Sequence, residues 1–359
     1  MTDAAPLADL AGLLAEEPAV RAVIGREPVV AVPEAARALF TAALARATSR
    51  RPVVVAVPTG VEAERLAHDL GPFLGAGAVE LFPAWETLPF ERVSPSLETM
   101  GHRLRVMWRL RAGGEELPTV LVAPVRALVQ RLGPHVEDVE PVRVRPGDRL
   151  DRDELVARLV DGGYRREYQV EARGEVAVRG SIVDVYPSTD DHPVRIDLWG
   201  DEVDRLSAFS IADQRSTSEL EEAWVFPTRE LLPTGEVRQR ARALVAAEPW
   251  GREQWERLAD GQAFDGMESW LPWLCDREHL LPDLLPGDAL VLLAEPVRMR
   301  DRAQELLDEE AALASTLAGT WGASPDRTFP RLSLPFDRLL AHTTASAVAA
   351  PAAPEGPST

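Results

Sequence analysis

The sequence predicts a doubly wound α/β domain interrupted by a small α+β module. Three observations predict it. Runs of unbroken apolar residues alternate with amphipathic stretches between residues 28 and 132. Short, closely spaced strands separated by turn residues follow Pro141. Helical patterns then return after Leu231 around a single apolar strand. Continuous apolar strands are buried on both faces, which in an alternating pattern means a parallel sheet between helices.

In chain order, Val29-Val30-Ala31-Val32 is expected as the first strand and Glu34 to Ala47 as the first helix. Val53 to Val57 is a second, all-apolar strand, followed by a helix from Val61 to Leu70. Ala78 to Phe82 gives a third strand, and Arg103 to Leu110 lies in a third helix. Thr119 to Ala123 is the fourth strand and Val125 to Leu132 the next helix.

The pattern changes after Pro141. Asp151-Arg-Asp-Glu154 has the form of a capping box opening a helix from Glu154 to Leu159, which Gly162-Gly163 stops. Tyr168 to Ala172, Glu175 to Tyr186, Val194 to Trp199 and Val203 to Phe209 follow as strands. Gly174, Pro187 to Pro193 and Gly200-Asp201 punctuate them, so antiparallel hairpins are expected. Beyond Leu231 come helices at Glu236 to Ala247 and Arg298 to Leu317, with one strand, Ala289 to Leu293, after Pro286-Gly287-Asp288. That stretch holds too few strands for its own sheet. The expected plan is 1–137 as the first part of the α/β domain, 138–212 as the inserted module and 213–340 as the completion. Residues 341–359, rich in Ala, Pro, Ser and Thr without periodicity, are expected to be a disordered tail.

Composition narrows the function. Of 359 residues, 45% are hydrophobic and 27% charged, as in globular proteins, and no apolar run is long enough to span a membrane. Met1 to Ala19 is acidic and carries no basic leader, so a cytoplasmic protein is expected. The net charge is −19, a repulsive starting point for binding phosphate backbones. All formal positive side-chain charge is arginine, since no lysine occurs. Cys275 is the single cysteine, which rules out a disulfide framework and a cysteine-rich zinc site. Six scattered histidines, without His-x-His or His-Glu-x-x-His spacing, supply no metal motif.

Catalytic motifs are missing as well. A phosphate-cradling loop after the first strand needs glycines for close backbone approach and a lysine for the β and γ phosphates. Here that turn reads Val32-Pro33-Glu34-Ala35-Ala36-Arg37-Ala38. Pro33 has no amide proton and Glu34 puts negative charge where phosphate would lie, so Pro33, Glu34 and Arg37 mark a degenerate, non-functional phosphate loop. Gly75-Ala76-Gly77 leads into a strand and is read as a loop. Ser181 sits in a strand region outside any nucleophile elbow, Asp190-Asp191 are read as solvated, and Cys275 as packing near Trp270 and Trp273. No catalytic residue, metal ligand or cofactor site is expected in this chain.

Binding residues are a different matter. Arg165, Arg166, Arg173 and Arg179 fall on or beside the antiparallel strands. In Glu175-Val-Ala-Val-Arg179, period-two alternation puts Val176 and Val178 on one face, Ala177 and Arg179 on the other. A sheet face with arginines and a tyrosine, Tyr186, has the composition of an interaction hot spot. The plainer alternative is a solvated face whose arginines pair with Glu167, Glu171 and Glu175.

Several motifs then occur in a telling order. Phe82-Pro-Ala-Trp-Glu-Thr-Leu-Pro-Phe90, Ser94-Pro95, His102-Arg-Leu104 and Gly163-Tyr164-Arg165 come first. Arg179-Gly-Ser-Ile-Val-Asp-Val-Tyr-Pro187, Val194-Arg-Ile-Asp-Leu-Trp-Gly-Asp-Glu-Val-Asp204, Pro227-Thr-Arg-Glu230 and Gly266-Met-Glu-Ser-Trp-Leu-Pro272 follow. Together, over roughly residues 20 to 340, they make the chain resemble the N-terminal region of bacterial transcription-repair coupling factors.

The resemblance implies a fold similar to the B subunit of the excision nuclease: a helicase-like parallel-sheet domain whose inserted module docks the A subunit in nucleotide excision repair. Carried over by position, the docking residues are Arg166, Arg179 and Tyr186, with Arg165 adjacent. The B subunit has a further arginine two positions before Arg179, where this chain has Ala177. It also has a working phosphate loop and an aromatic hairpin for damaged DNA, whereas residues 91–101 here are short and lack tyrosine. Family members extend further, with regions that bind RNA polymerase and a motor on double-stranded DNA that uses ATP and Mg, so the chain is expected to be a fragment or truncated product. Two other functions stay open at this point: a degenerate helicase half still binding nucleotide or DNA, and an autoinhibitory domain of the parent motor.

Overall fold

The computed structural model describes residues 6–25, 27, 29–134, 136–320, 323 and 328–351. The chain divides into two compact units, and the fold is mixed α/β with separate parallel and antiparallel sheets. The first unit takes residues up to Ala84, Val106–Leu132 and the chain from Asp276 onward. Its five strands lie in the order Ser346–Ala350, Leu290–Ala294, Val53–Val57, Val120–Pro124 and Val79–Leu81, every neighbouring pair parallel. Val53–Val57 is buried at all five positions because helices cover both faces. Phe40 and Leu44 of helix Arg37–Ala47 and Leu66 and Leu70 of helix Gly60–Leu74 share its core. Burying each such aliphatic side chain contributes about 1.5–3 kcal/mol. Thr59 starts the second of these helices with a reciprocal capping box to Glu62.

Two expectations change here. Val29 to Val32 forms no strand of its own. It meets the sheet through one parallel bridge, Val29 to Ala349, with the Val30 amide donating to the Ala349 carbonyl at 2.9 Å. Its partner comes from the supposed tail: Ser346–Ala350 is a strand, with Val348 and Ala350 buried. Small residues hid it, since parallel pairing satisfies the backbone whatever the side chains are. Residues 352–359 lie outside the described residues.

The second unit comprises Trp85–Arg105 and Gly133–Cys275. It therefore runs well past the expected boundary at 212 and recruits a stretch upstream of 138. We number the strands of its six-stranded sheet β1 (Arg165–Arg166), β2 (Glu175–Arg179), β3 (Ile182–Val185), β4 (Val194–Trp199), β5 (Glu202–Phe209) and β6 (Ser216–Glu219). They lie in sequence order across the sheet, antiparallel except for the parallel pair β1–β2. Helix Arg152–Asp161, capped by the Asp151 carboxylate on the Glu154 amide at 2.8 Å, packs Leu155, Val156 and Leu159 into the sheet's core. A two-stranded pairing, Val142–Val144 with Ala223–Val225, joins the same core. β6 escaped sequence detection because its Ser-Thr-Ser-Glu run is exposed throughout and has no apolar alternation.

The rest of this unit packs around tryptophans. Trp255, Trp270 and Trp273 are buried, and Trp250 stacks on Trp270 with centroids 5.3 Å apart. The motifs that carried the resemblance interlock in the same unit. The buried Glu230 carboxylate accepts from Trp85 Nε1 at 2.7 Å and from Arg103 Nε at 2.6 Å. Glu268, also buried, accepts from Arg229 at 2.8 Å, and the Ser94 hydroxyl accepts the Gly266 amide at 2.8 Å. Burial pushes the Glu268 carboxyl up, opposed by Arg229 and the Ser94 hydrogen bond.

Candidate docking site on the antiparallel sheet

The pleat gives the six-stranded sheet two chemically different faces. Val176, Val183, Val185, Val194, Ile196, Leu198, Val203 and Leu206 point into the helix-covered core. The opposite, outer face follows from the register. One row runs Ala177, Asp184, Arg195 and Ser207; the next runs Arg179, Ile182, Asp197 and Arg205. The alternation expected for β2 is present: Val176 is in the core and Ala177 packs on the other side against Val170, Phe209 and Tyr186.

Asp184 organises the outer face. Its side chain is 1% exposed. Arg195, on the neighbouring strand, donates Nε to Oδ1 at 2.7 Å and Nη2 to Oδ2 at 2.9 Å, a fork on a carboxylate. Arg179 donates to Oδ2 from the other side. Arg195 also donates to the Gln214 carbonyl at 3.0 Å and lies over the Phe209 ring at 4.7 Å. The Asp184 hydrogen bond raises the Arg195 pKa against an opposing effect of burial, so Arg195 is fully charged. Asp184 thus takes two guanidinium groups, and Asp197 on the same face is a further carboxylate acting on Arg195.

Arg165 and Tyr186 lie at the other end of the face. Arg165 pairs in register with Glu175 and donates to its carboxylate at 3.0 Å. Glu175 Oε2 also accepts the amides of Glu171 and Ala172, each at 2.8 Å. That carboxylate curls the loop before β2, which is why the strand expected at Tyr168 to Ala172 is absent and the two-residue β1 stands upstream instead. Tyr186, half-buried, donates its hydroxyl to the Asp191 carbonyl at 2.9 Å and lies beneath Arg173, 5.1 Å from its ring centroid. Tyr164, just before Arg165, is buried with its hydroxyl on the Phe226 carbonyl at 2.7 Å.

Of the four candidates the sequence offers, the structure brings three to one face: Arg165, Arg179 and Tyr186. Arg166 is placed differently. It pairs in register with Val176, a core-facing residue, so it projects to the side opposite Arg165. It is exposed there. The face of a two-residue strand depends on its pairing register, which spacing alone does not give. Sequence reading missed Asp184 and Arg195, although an aspartate inside Ile-Val-Asp-Val was itself a signal, since a buried charge requires partners.

In the first unit, the turn expected as a degenerate phosphate loop lies before helix Arg37–Ala47. Arg37 is 7% exposed and donates Nη2 to Glu295 Oε1 at 2.9 Å. Arg298 donates to Glu295 at 2.7 Å and to Glu62 at 3.0 Å. Glu295 follows the strand Leu290–Ala294 with φ 55°, a conformation costing a non-glycine residue about 1–3 kcal/mol. Glu34 remains exposed, with Arg65 3.7 Å away. The guanidinium charges at this edge are thus answered by carboxylates of the chain itself. Among the described residues there is no cluster of three or more His, Cys, Asp or Glu that could hold a metal ion, and no helix long and apolar enough to cross a membrane.

Comparison with known proteins adds the family. Residues 142–231, which contain this whole sheet, match the UvrB interaction domain family. The chain is 40% identical over 324 residues to a transcription-repair-coupling factor of Mycobacterium tuberculosis, covering 84% of this chain and 26% of that protein. Its counterpart from Bacillus subtilis is 31% identical over 325 residues, covering 85% of this chain and 27% of that protein. For Escherichia coli the figures are 31% over 231 residues, 62% and 19%. The chain thus spans about a quarter of the length of the first two of these relatives. By this identity over most of its length, and by the interaction domain it contains, the chain belongs to the transcription-repair-coupling factor family.

Proposed function

We propose that the outer face of the antiparallel sheet docks the A subunit of the excision nuclease, and that this chain is a recruiting region of a longer coupling factor in transcription-coupled repair. One observation carries the reading. Within the segment matching the UvrB interaction domain, Arg179 shares the buried Asp184 carboxylate with Arg195 and keeps its own side chain 37% exposed at the sheet surface. Arginine suits this role because its planar fork makes paired hydrogen bonds to carboxylates and its charge speeds encounter with an acidic patch. RNA polymerase, double-stranded DNA, and ATP with Mg fall to other regions of the longer protein, which acts in the cytoplasm. In this chain the Arg37–Glu295–Arg298–Glu62 network stands in place of phosphate recognition, so the chain binds no ATP and hydrolyses none.

Titration calorimetry with the purified A subunit tests the docking. Arg179→Ala should weaken binding about thirtyfold, as for a central interface arginine worth roughly 2 kcal/mol. Arg302→Ala, in the other unit, should bind like wild type. If neither Arg179→Ala nor Arg165→Ala changes the affinity, the face is merely solvated. Equilibrium dialysis with labelled ATP and Mg should show no saturable site up to about millimolar concentration, and a micromolar dissociation constant would refute the second part.

A further inference from the structure

The outer face carries a residue that the arginines and Tyr186 do not account for. Trp199 ends β4 and is 82% exposed. Its direction follows from register. Leu198 pairs with Val203 and both are in the core, whereas Trp199 pairs with Glu202 on the outer side. Asp197, two residues earlier on the same face, stands in the row that begins with Arg179. With strands about 4.8 Å apart and about 6.7 Å between alternate residues, the Trp199 backbone lies on the order of 12 Å from that of Arg179.

The position is also held in place. The Leu198 amide donates to the Ser181 carbonyl at 3.0 Å, tying Trp199 to the turn that follows Arg179. Arg152 donates to the Gly180 carbonyl in that same turn at 2.9 Å. On the other side, the Leu150 amide donates to Asp201 at 2.7 Å and the Val203 amide to Asp148 at 2.9 Å, and Arg149 bridges to Glu202. A large apolar ring kept in water on a fixed turn, on the same face as the part-exposed Arg179, has the make-up of an interface anchor: rigid, aromatic and flanked by polar groups. Scattered exposed apolar residues are ordinary on protein surfaces. Here the same face also carries the part-exposed Arg179.

We infer that Trp199 is the apolar anchor of the docking face, entering an apolar notch on the partner whose carboxylates meet Arg179. The inference rests on the docking reading above and names its occupant as the same A subunit. Its test titrates the full chain with that subunit. Trp199→Ala should lower affinity about tenfold or more, while Trp199→Phe should stay within about threefold of wild type. Trp199→Arg, which keeps a long exposed side chain but removes the ring, should bind as poorly as the alanine variant. Thermal melts of all three should match wild type, because the side chain is exposed; Val297→Ala in the other unit is the control. If Trp199→Ala binds like wild type while Arg179→Ala is weakened, this inference fails and the docking reading stands. If neither change matters, both fail. If Trp199→Ala alone is weakened, the anchor stands and the arginine centre does not. Self-association of this chain that depends on Trp199, with unaltered binding of the A subunit, would also overturn it.

Discussion

Replacing Asp184 by asparagine changes almost no volume and removes one charge, so its effect can be worked from the contacts. Asp184 is 1% exposed and Arg195 is 11% exposed, with a two-point hydrogen bond between them. Removing one partner of a buried pair costs about 3–5 kcal/mol, because the remaining charge stays desolvated. Asparagine keeps one oxygen to accept, which lowers that figure. The Arg179 side chain is 37% exposed, so its share is discounted for solvent and it can turn outward. Two guanidinium groups left about 5 Å apart repel by about 3 kcal/mol at an effective dielectric of 20, less as water enters. These effects overlap, and the expected loss is about 3 kcal/mol. Urea unfolding followed by tryptophan fluorescence measures it. The deficit should shrink in about 0.5 M salt, which screens the repulsion, and adding Arg179→Ala to Asp184→Asn should restore part of it. A loss under about 0.5 kcal/mol, or no coupling in the double variant, would refute the claim that this carboxylate holds the face together.

Two further outcomes follow from other contacts. Burial pushes the Glu295 carboxyl up, but hydrogen bonds from Arg298 and Arg37 and their charges outweigh it, leaving its pKa below the usual value. A depressed carboxyl contributes stability that is present above its unfolded pKa, about 4.3, and is lost as pH falls through the folded value. Glu295→Gln should therefore cost about 2 kcal/mol at neutral pH, and chemical-denaturation curves at several pH values should show a gap from wild type that closes in acid; a pH-independent gap would contradict the ion-pair account. Gly266 has φ 78°, and a Cβ there would lie 2.1 Å from the Arg92 carbonyl oxygen. Gly266→Ala should lose about 3 kcal/mol or more through strain and overlap, measured by the same unfolding curves.

Where the sequence was legible, one physical signal was enough. Val53–Val57 and Val120–Pro124 are apolar at every position and buried at every position, so no partner needed to be known. Val194–Trp199 alternates burial along its length as the pleat requires. Illegible elements are those whose cause lies far away in the chain. Ser346–Ala350 is a strand because Leu290–Ala294 offers it a parallel edge, and β1 exists because Glu175 bends the loop after it. The site divides along the same line. Alternation within β2 separated Ala177 and Arg179 from the valines, whereas the sides taken by Arg165 and Arg166 depend on which residues of β2 they meet.

The motifs of the second unit fall into two kinds, buried hydrogen-bonded sets and a sheet face, and the difference is physical. Trp85, Arg103 and Glu230 form one buried hydrogen-bonded set, and Ser94, Arg229, Gly266 and Glu268 form another. Each set satisfies its own charges, so neither has hydrogen-bonding capacity turned toward a partner; both fix the backbone on which the sheet stands. The outer face works the other way. Arg179 is part-exposed beside Asp184, Arg165 is exposed beside the Glu175 carboxylate of β2, and Trp199 is left in water. A partner that brings carboxylates and an apolar notch supplies what this face lacks, while nothing it could bring would improve the buried sets. On the docking reading proposed above, the partner meets the outer face and not the buried sets.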